Sequence, residues 1–287
     1  MIYERRASAL HATRAAVASA WCVVVAGVAL SFEHPIVLCV LLATVIAAAA
    51  GARVAGRVLL ALAVAFPFAV VIALINPLVV RDGLTVIARL GAVPALGQLD
   101  VTAEATAYGG VLALRALVVI ACFALHSAAV DPDELLRAFR RLSFRTALTA
   151  ALATRMVPVL ARDARRFRDA QRCRPGRPAS RLALLRAVTT GALDRAVDVA
   201  ATLEVRGYGG SARPARRHRP WSRHDFEFAA ATLVLAGLAI AAAVGGWESF
   251  AAYPSLVVPV GGGELALAVA LLALALLPFA DRKGVGR

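Results

Sequence analysis

The sequence predicts an all-α, polytopic membrane protein of about six transmembrane helices with long amphipathic cytoplasmic coupling helices. Three observations lead there. Of the residues 60% are hydrophobic, yet the formal charge is +14, so apolar runs and charge must be segregated along the chain. Six stretches reach or approach the roughly 20 mostly apolar residues that a spanning helix needs. The arginines gather in alternate loops, as short cytoplasmic loops collect them.

The spans are expected at 15–32, 35–50, 58–80, 107–129, 227–246 and 262–280. Basic residues precede the first, as in a signal peptide, but a second apolar run follows almost at once without a convincing cleavage site, so the segment is read as a retained helix. The second span is short and starts at Pro35, which suits a tight hairpin with the first or an incomplete crossing. Arg5, Arg6 and Arg14 precede the first span, Arg53 and Arg57 separate the second from the third, and Arg282, Lys283 and Arg287 follow the last. Ser31–Pro35 and Gly245–Gly261 hold no Lys or Arg, and residues 81–106 hold Arg81 and Arg89 alone. Six spans with both termini cytoplasmic, in the cell membrane, satisfy all these loops. The expected division is 1–130 with four spans, 131–225 as a cytoplasmic coupling-helix region, and 226–287 with two spans.

Between Asp131 and Asp225 stand 21 arginines and nine acidic residues, with no apolar run long enough to span. Asp131-Pro132-Asp133-Glu134 supplies an N-cap acid, a proline at the first helical position and acids in the first turn. A helix of about 132–143 follows. A second is expected from near Arg145 to Cys173, stopped by Arg174-Pro175-Gly176, with a kink or break at Pro158. A third starts with Ser180 as N-cap and ends at Val205 or Arg206, where Gly207 suits a left-handed cap. Its apolar stripe is Leu182, Leu185, Val188, Leu193, Ala196, Val199, Ala200 and Leu203. Such stripes need a partner: each other, the membrane or another protein.

Several function classes are set aside. A P-loop needs a lysine that reaches the phosphates, and the one lysine is Lys283 near the C-terminus. Any ATP dependence therefore belongs to a partner chain. Cys22, Cys39, Cys122 and Cys173 form no C-x-x-C pair, and His11, His34, His126, His218 and His224 show no ligand spacing on one helix face, so no metal site or cofactor is expected. Basic charge in a membrane protein reports topology before nucleic acid. Arg213, Arg216, Arg217 and Arg219, close to the next span, are assigned to anionic headgroups.

Two related words end the long cytoplasmic helices: Ala170-Gln171-Arg172-Cys173-Arg174-Pro175 and Leu203-Glu204-Val205-Arg206-Gly207-Tyr208-Gly209. With them come, in order, Asn76-Pro77-Leu78 through Asp82-Gly83, Val101-Thr102-Ala103-Glu104, Leu114-Arg115, Asp133-Glu134-Leu135-Leu136 and Arg155-Met156-Val157-Pro158. Together these resemble the T component of energy-coupling factor transporters of vitamins and metals, the family that includes the cobalt-uptake protein CbiQ, and the resemblance covers nearly the whole chain. That family carries two Ala-Arg-Gly motifs. Here they read Cys173-Arg174-Pro175 and Val205-Arg206-Gly207, each keeping the arginine.

The resemblance implies that Arg174 and Arg206, with Cys173, Val205, Gly207 and Glu204 beside them, dock the coupling helices onto two ABC-type ATPase subunits. It also implies that a small membrane subunit binds the vitamin or metal ion. The plain alternative is that both arginines are solvated helix caps. Arg115, inside a span, has either a structural partner or a role in transport. Arg155 and Pro158 belong to the ordered signatures. The rivals are a conventional permease binding its own substrate and a membrane enzyme. The first wants polar groups or broken helices at the midplane, the second a cluster of carboxylates, histidines or nucleophiles at one depth. Apart from Arg115, His126 and a few hydroxyls the spans offer little of the first and none of the second, and the chain is expected to do no chemistry.

Overall fold

A computed structural model describes residues 6–79, 85–93, 97–139, 144–173, 180–207, 220–246 and 262–280. Ten helices and one hairpin lie within them: α1 (Ala9–Ala12), α2 (Ala15–Ser31), α3 (Pro35–Gly51), α4 (Ala55–Val79), β1 (Val86–Val93), β2 (Gly97–Thr102), α5 (Ala103–Ala129), α6 (Pro132–Phe139), α7 (Phe144–Cys173), α8 (Arg181–Val205), α9 (Arg223–Val244) and α10 (Gly262–Ala280). The protein is thus an all-α, multi-pass membrane protein. Among the described residues α4, α5, α9 and α10 are long and apolar enough to cross a bilayer. α2 and α3, at 17 residues each, reach about 25 Å at 1.5 Å per residue, against a hydrocarbon core of about 30 Å.

The chain divides into two compact units, residues 1–135 with 221–287, and residues 136–220. In the first, α5 packs along α4 and also touches α2 and α3, while α10 packs on α3 and α9 on α2. Close helix approach is set by small residues. Gly109 on α5 faces the backbone of α4, where an added Cβ would sit 2.8 Å from the Ala73 carbonyl oxygen. One turn away, Asn76 Nδ2 donates to the Ala105 carbonyl at 3.0 Å. Three aromatic rings from α2, α9 and α10 fill the core: Trp21 meets Phe228 at 6.2 Å and Phe279 at 5.7 Å, both edge to face. At the end of α3 the turn to α4 places Arg53 at φ 58°, a left-handed conformation unusual for a side-chain residue, and Arg6 donates to its carbonyl.

The β1–β2 hairpin, antiparallel with irregular register after Val86 and after Arg89, was not expected from the sequence. Thr102 ends it and caps α5, its Oγ1 accepting from Ala105 N at 3.3 Å. Glu104, almost fully buried in the first turn of α5, accepts from Thr85 N at 3.1 Å and so ties the hairpin's start to its end.

In the second unit α7 pairs with α8. α7 is described up to Cys173, the stop expected at Arg174-Pro175-Gly176 lying outside the described residues, and Ser180 Oγ caps α8 as expected by accepting from Ala183 N at 3.3 Å. Pro158 lies inside α7 without ending it. Of the helix expected over 132–143, residues 140–143 lie outside the described residues.

Candidate functional site

The end of α8 is built by the backbone. Arg206 N donates to Thr202 O at 3.2 Å, Gly207 N donates to Glu204 O at 2.8 Å, and Gly207 takes φ +73°, the left-handed turn that a Cβ would strain. This geometry stops the helix and leaves Glu204, Val205 and Arg206 exposed, Val205 at 89%. Cys173, at the end of α7, is exposed too. Arg174 and Pro175 lie outside the described residues, as do Arg213, Arg216, Arg217 and Arg219. Arg155 and Pro158 are exposed on α7, and the Pro158 carbonyl accepts from Arg162 Nε at 3.4 Å.

An ion pair joins the two helices, Arg195 Nη1 to Asp163 Oδ2 at 2.8 Å. Around it the apolar stripe read from the sequence divides. Val188, Val199 and Leu203, with Leu184, are half-buried toward α7, whereas Leu182, Leu185, Leu193, Ala196 and Ala200 are exposed. No residue of α8 is buried. The helix therefore carries two apolar edges and covers one of them.

Arg115 has structural partners. Its Nη2 donates to the Phe32 carbonyl at 3.1 Å and to Glu33 Oε1 at 3.3 Å, in the turn between α2 and α3. Phe32 is the C-cap of α2, so the guanidinium meets carbonyls that the helix leaves open, at the negative end of its dipole. Deeper along α5, His126 Nε2 and Ser19 Oγ of α2 lie 3.0 Å apart. Two polar links thus join α5 to α2 at different depths, where apolar packing alone specifies register weakly.

A further polar cluster lies outside the residues singled out from the sequence. Asp225, fully buried, accepts from Arg14 N at 2.7 Å and from Ser222 N at 2.9 Å, and Arg14 Nε lies 3.4 Å from it. Ser222 Oγ in turn accepts from Asp225 N, completing a capping box. The Arg14 guanidinium also lies 5.0 Å from the Trp221 ring centre. Arg14 is the N-cap of α2 and Ser222 that of α9. One carboxylate thus serves the positive ends of two neighbouring helices. The signal was present as Ser222-x-x-Asp225, a capping box just ahead of an apolar run.

No group of three or more His, Cys, Asp or Glu side chains among the described residues is arranged to hold a metal ion. A family model described as CbiQ, cobalt transport protein, matches residues 5–217, about three-quarters of the chain. No curated protein matches it.

Proposed function

The chain belongs to the CbiQ family of cobalt transport proteins, and on that premise we propose that it is the transmembrane coupling component of an energy-coupling-factor importer for a vitamin or metal ion. Two ABC-type ATPase subunits bind the ends of α7 and α8, and a small membrane subunit carries the cargo. Closure and opening of the ATPases reach the membrane through the α7–α8 pair. The chain itself performs no chemistry, and both termini face the cytoplasm of a cell whose plasma membrane it crosses.

The observation that carries this reading is the state of α8: a 25-residue helix that buries nothing, exposes a row of leucines, and ends in an exposed arginine on a glycine-terminated turn. Such a surface suits a partner groove, because guanidinium groups make bidentate contacts with carboxylates and cap carbonyls. The arginine loops support the orientation.

Affinity purification of the tagged chain from its native host should bring down two ATPase subunits and one small membrane protein, and recovery of the chain alone would defeat the reading. The purified chain without ATPases is expected neither to bind nor to hydrolyse ATP. Arg206→Ala should leave membrane insertion intact while weakening ATPase association at least about tenfold, since truncating a buried charged partner at an interface costs on the order of 2 kcal/mol or more. Arg174→Ala should act likewise and the double substitution most strongly, with lysine a poor substitute. Assembly and uptake at the wild-type level in the double variant would reduce both arginines to solvated caps.

A further inference from the structure

The side of α7 turned away from α8 is made of arginine. Asp163, paired with Arg195 at 2.8 Å, marks the side that meets α8, and Met156, Leu160 and Ala164 around it are half-buried. At 3.6 residues per turn, Arg165, Arg168 and Arg172 lie opposite, Arg162 and Arg166 flank them on one side, and all five are exposed. Arg162 is engaged through Nε with the carbonyl of Pro158 on its own helix, a contact that leaves its charge uncompensated. Asp169 is the one acid interleaved among them, and Asp163 is already spent on Arg195. The five guanidinium groups therefore fall within eleven residues, about 16 Å of helix.

We propose that this face of α7 binds the anionic headgroups of the adjoining membrane leaflet, so that α7 is an interfacial helix as well as half of a helix pair. The chain leaves α5 at Ala129 and begins α6 at Pro132, and at its far end it re-enters a membrane helix at Arg223. Tethered at both ends to spans, the unit meets the leaflet at high effective concentration, whereas any soluble anion must arrive by diffusion. Leaflet charge attracts each nearby arginine, and the planar fork suits phosphate oxygens. At the margin of the basic face Val157 is 66% exposed, an apolar group of the kind that enters the headgroup boundary. The face is charged rather than apolar, which fits a lipid surface better than a hydrophobic protein groove. It is separate from the uncovered leucine edge of α8.

The lipid and salt arms of the test use the full chain alone, without ATPases, so that their outcome is independent of the coupling reading. A nitroxide is placed at Ala161→Cys, an exposed position among the arginines, with the exposed Cys39 and Cys173 changed to Ser and the buried Cys22 and Cys122 kept. The protein is put into nanodiscs of phosphatidylcholine alone or with about 30% phosphatidylglycerol, and collision with a neutral, water-soluble nickel chelate is read by power saturation. Anionic lipid should lower the collision rate at least about threefold. About 1 M KCl, where the Debye length is about 3 Å, should restore it. Replacing Arg165, Arg166, Arg168 and Arg172 by Gln should abolish the lipid effect, and the salt arm decides the matter alone if that variant folds poorly. Equal collision rates in both lipids overturn the proposal. So does a fall that appears when ATPase subunits are added, whatever the lipid, which would give this face to a protein partner.

Discussion

The two units draw on the same few residue types, Ala, Val, Leu and Arg, and use them in opposite ways. In the membrane unit, Arg14 is held by Asp225 and Trp221, Arg115 by the α2–α3 turn, and the apolar residues form a continuous buried core around Trp21, Phe228 and Leu271. In the α7–α8 unit the described arginines are mostly exposed and no residue of α8 is buried. A unit that satisfies its own polar and apolar groups carries its own stability. A unit that leaves both uncovered derives its order from whatever covers it, and its substitutions should register in assembly rather than in folding.

The sharpest way to break that contrast is at Asp225. Asp225→Ala deletes the acceptor of two backbone amides and leaves Arg14 beside two positive helix ends. Removing one partner of a buried charge pair costs about 3–5 kcal/mol. Denaturant unfolding of the detergent-solubilised chain should show the loss, with Asp225→Asn intermediate because it keeps one acceptor oxygen. An unchanged midpoint would mean that the α2 and α9 ends are held by packing alone. Next comes Gly109→Val. A Cβ there meets the Ala73 carbonyl oxygen at 2.8 Å and Asn76 Cβ at 3.0 Å, backbone on one side and a helix-anchored atom on the other, so α4 and α5 must part. Overpacking of this kind costs about 1–3 kcal/mol, read in the same unfolding experiment. Wild-type stability would show that α4 slides freely along α5.

Helices were legible wherever the chain wrote both a period and a stop. Ser180 and Gly207 bracket α8 as the sequence suggests, because each satisfies an end group by a local bond that needs no tertiary contact. The six apolar segments were legible from length alone. The β1–β2 hairpin was not. Val86-Ile87-Ala88-Arg89-Leu90 lacks strict alternation and the return carries no Asn-Gly or Asp-Gly turn, so its pairing depends on contacts from outside, such as Glu104 to Thr85. Arg115 showed that something must meet a charge inside a span but not what, since Phe32 and Glu33 lie more than 80 residues away. The stripe of α8 was legible as apolar. Its division into a covered and an uncovered edge was not, because periodicity marks a face without saying how wide the neighbour is.

That division sets the smallest expected effect. Leu193 lies on the uncovered edge, 63% exposed, and its replacement by serine removes little buried area. What remains is the difference in helix propensity, about 0.3–0.5 kcal/mol, within the range of ordinary surface substitutions. The isolated Leu193→Ser chain should therefore unfold at nearly the wild-type denaturant concentration, in contrast to Asp225→Ala. The same substitution should lower recovery of partner subunits in the affinity purification, because an apolar anchor lost from an interface core is felt in dissociation. Two results would sharpen the comparison differently. A large stability loss in the isolated chain would mean that the leucine edge is covered within the chain itself, and the α7–α8 unit would then be as self-sufficient as the membrane unit. Unchanged stability with unchanged partner recovery would move the docking surface off this edge and leave the exposed turn at Arg206 to carry the contact alone.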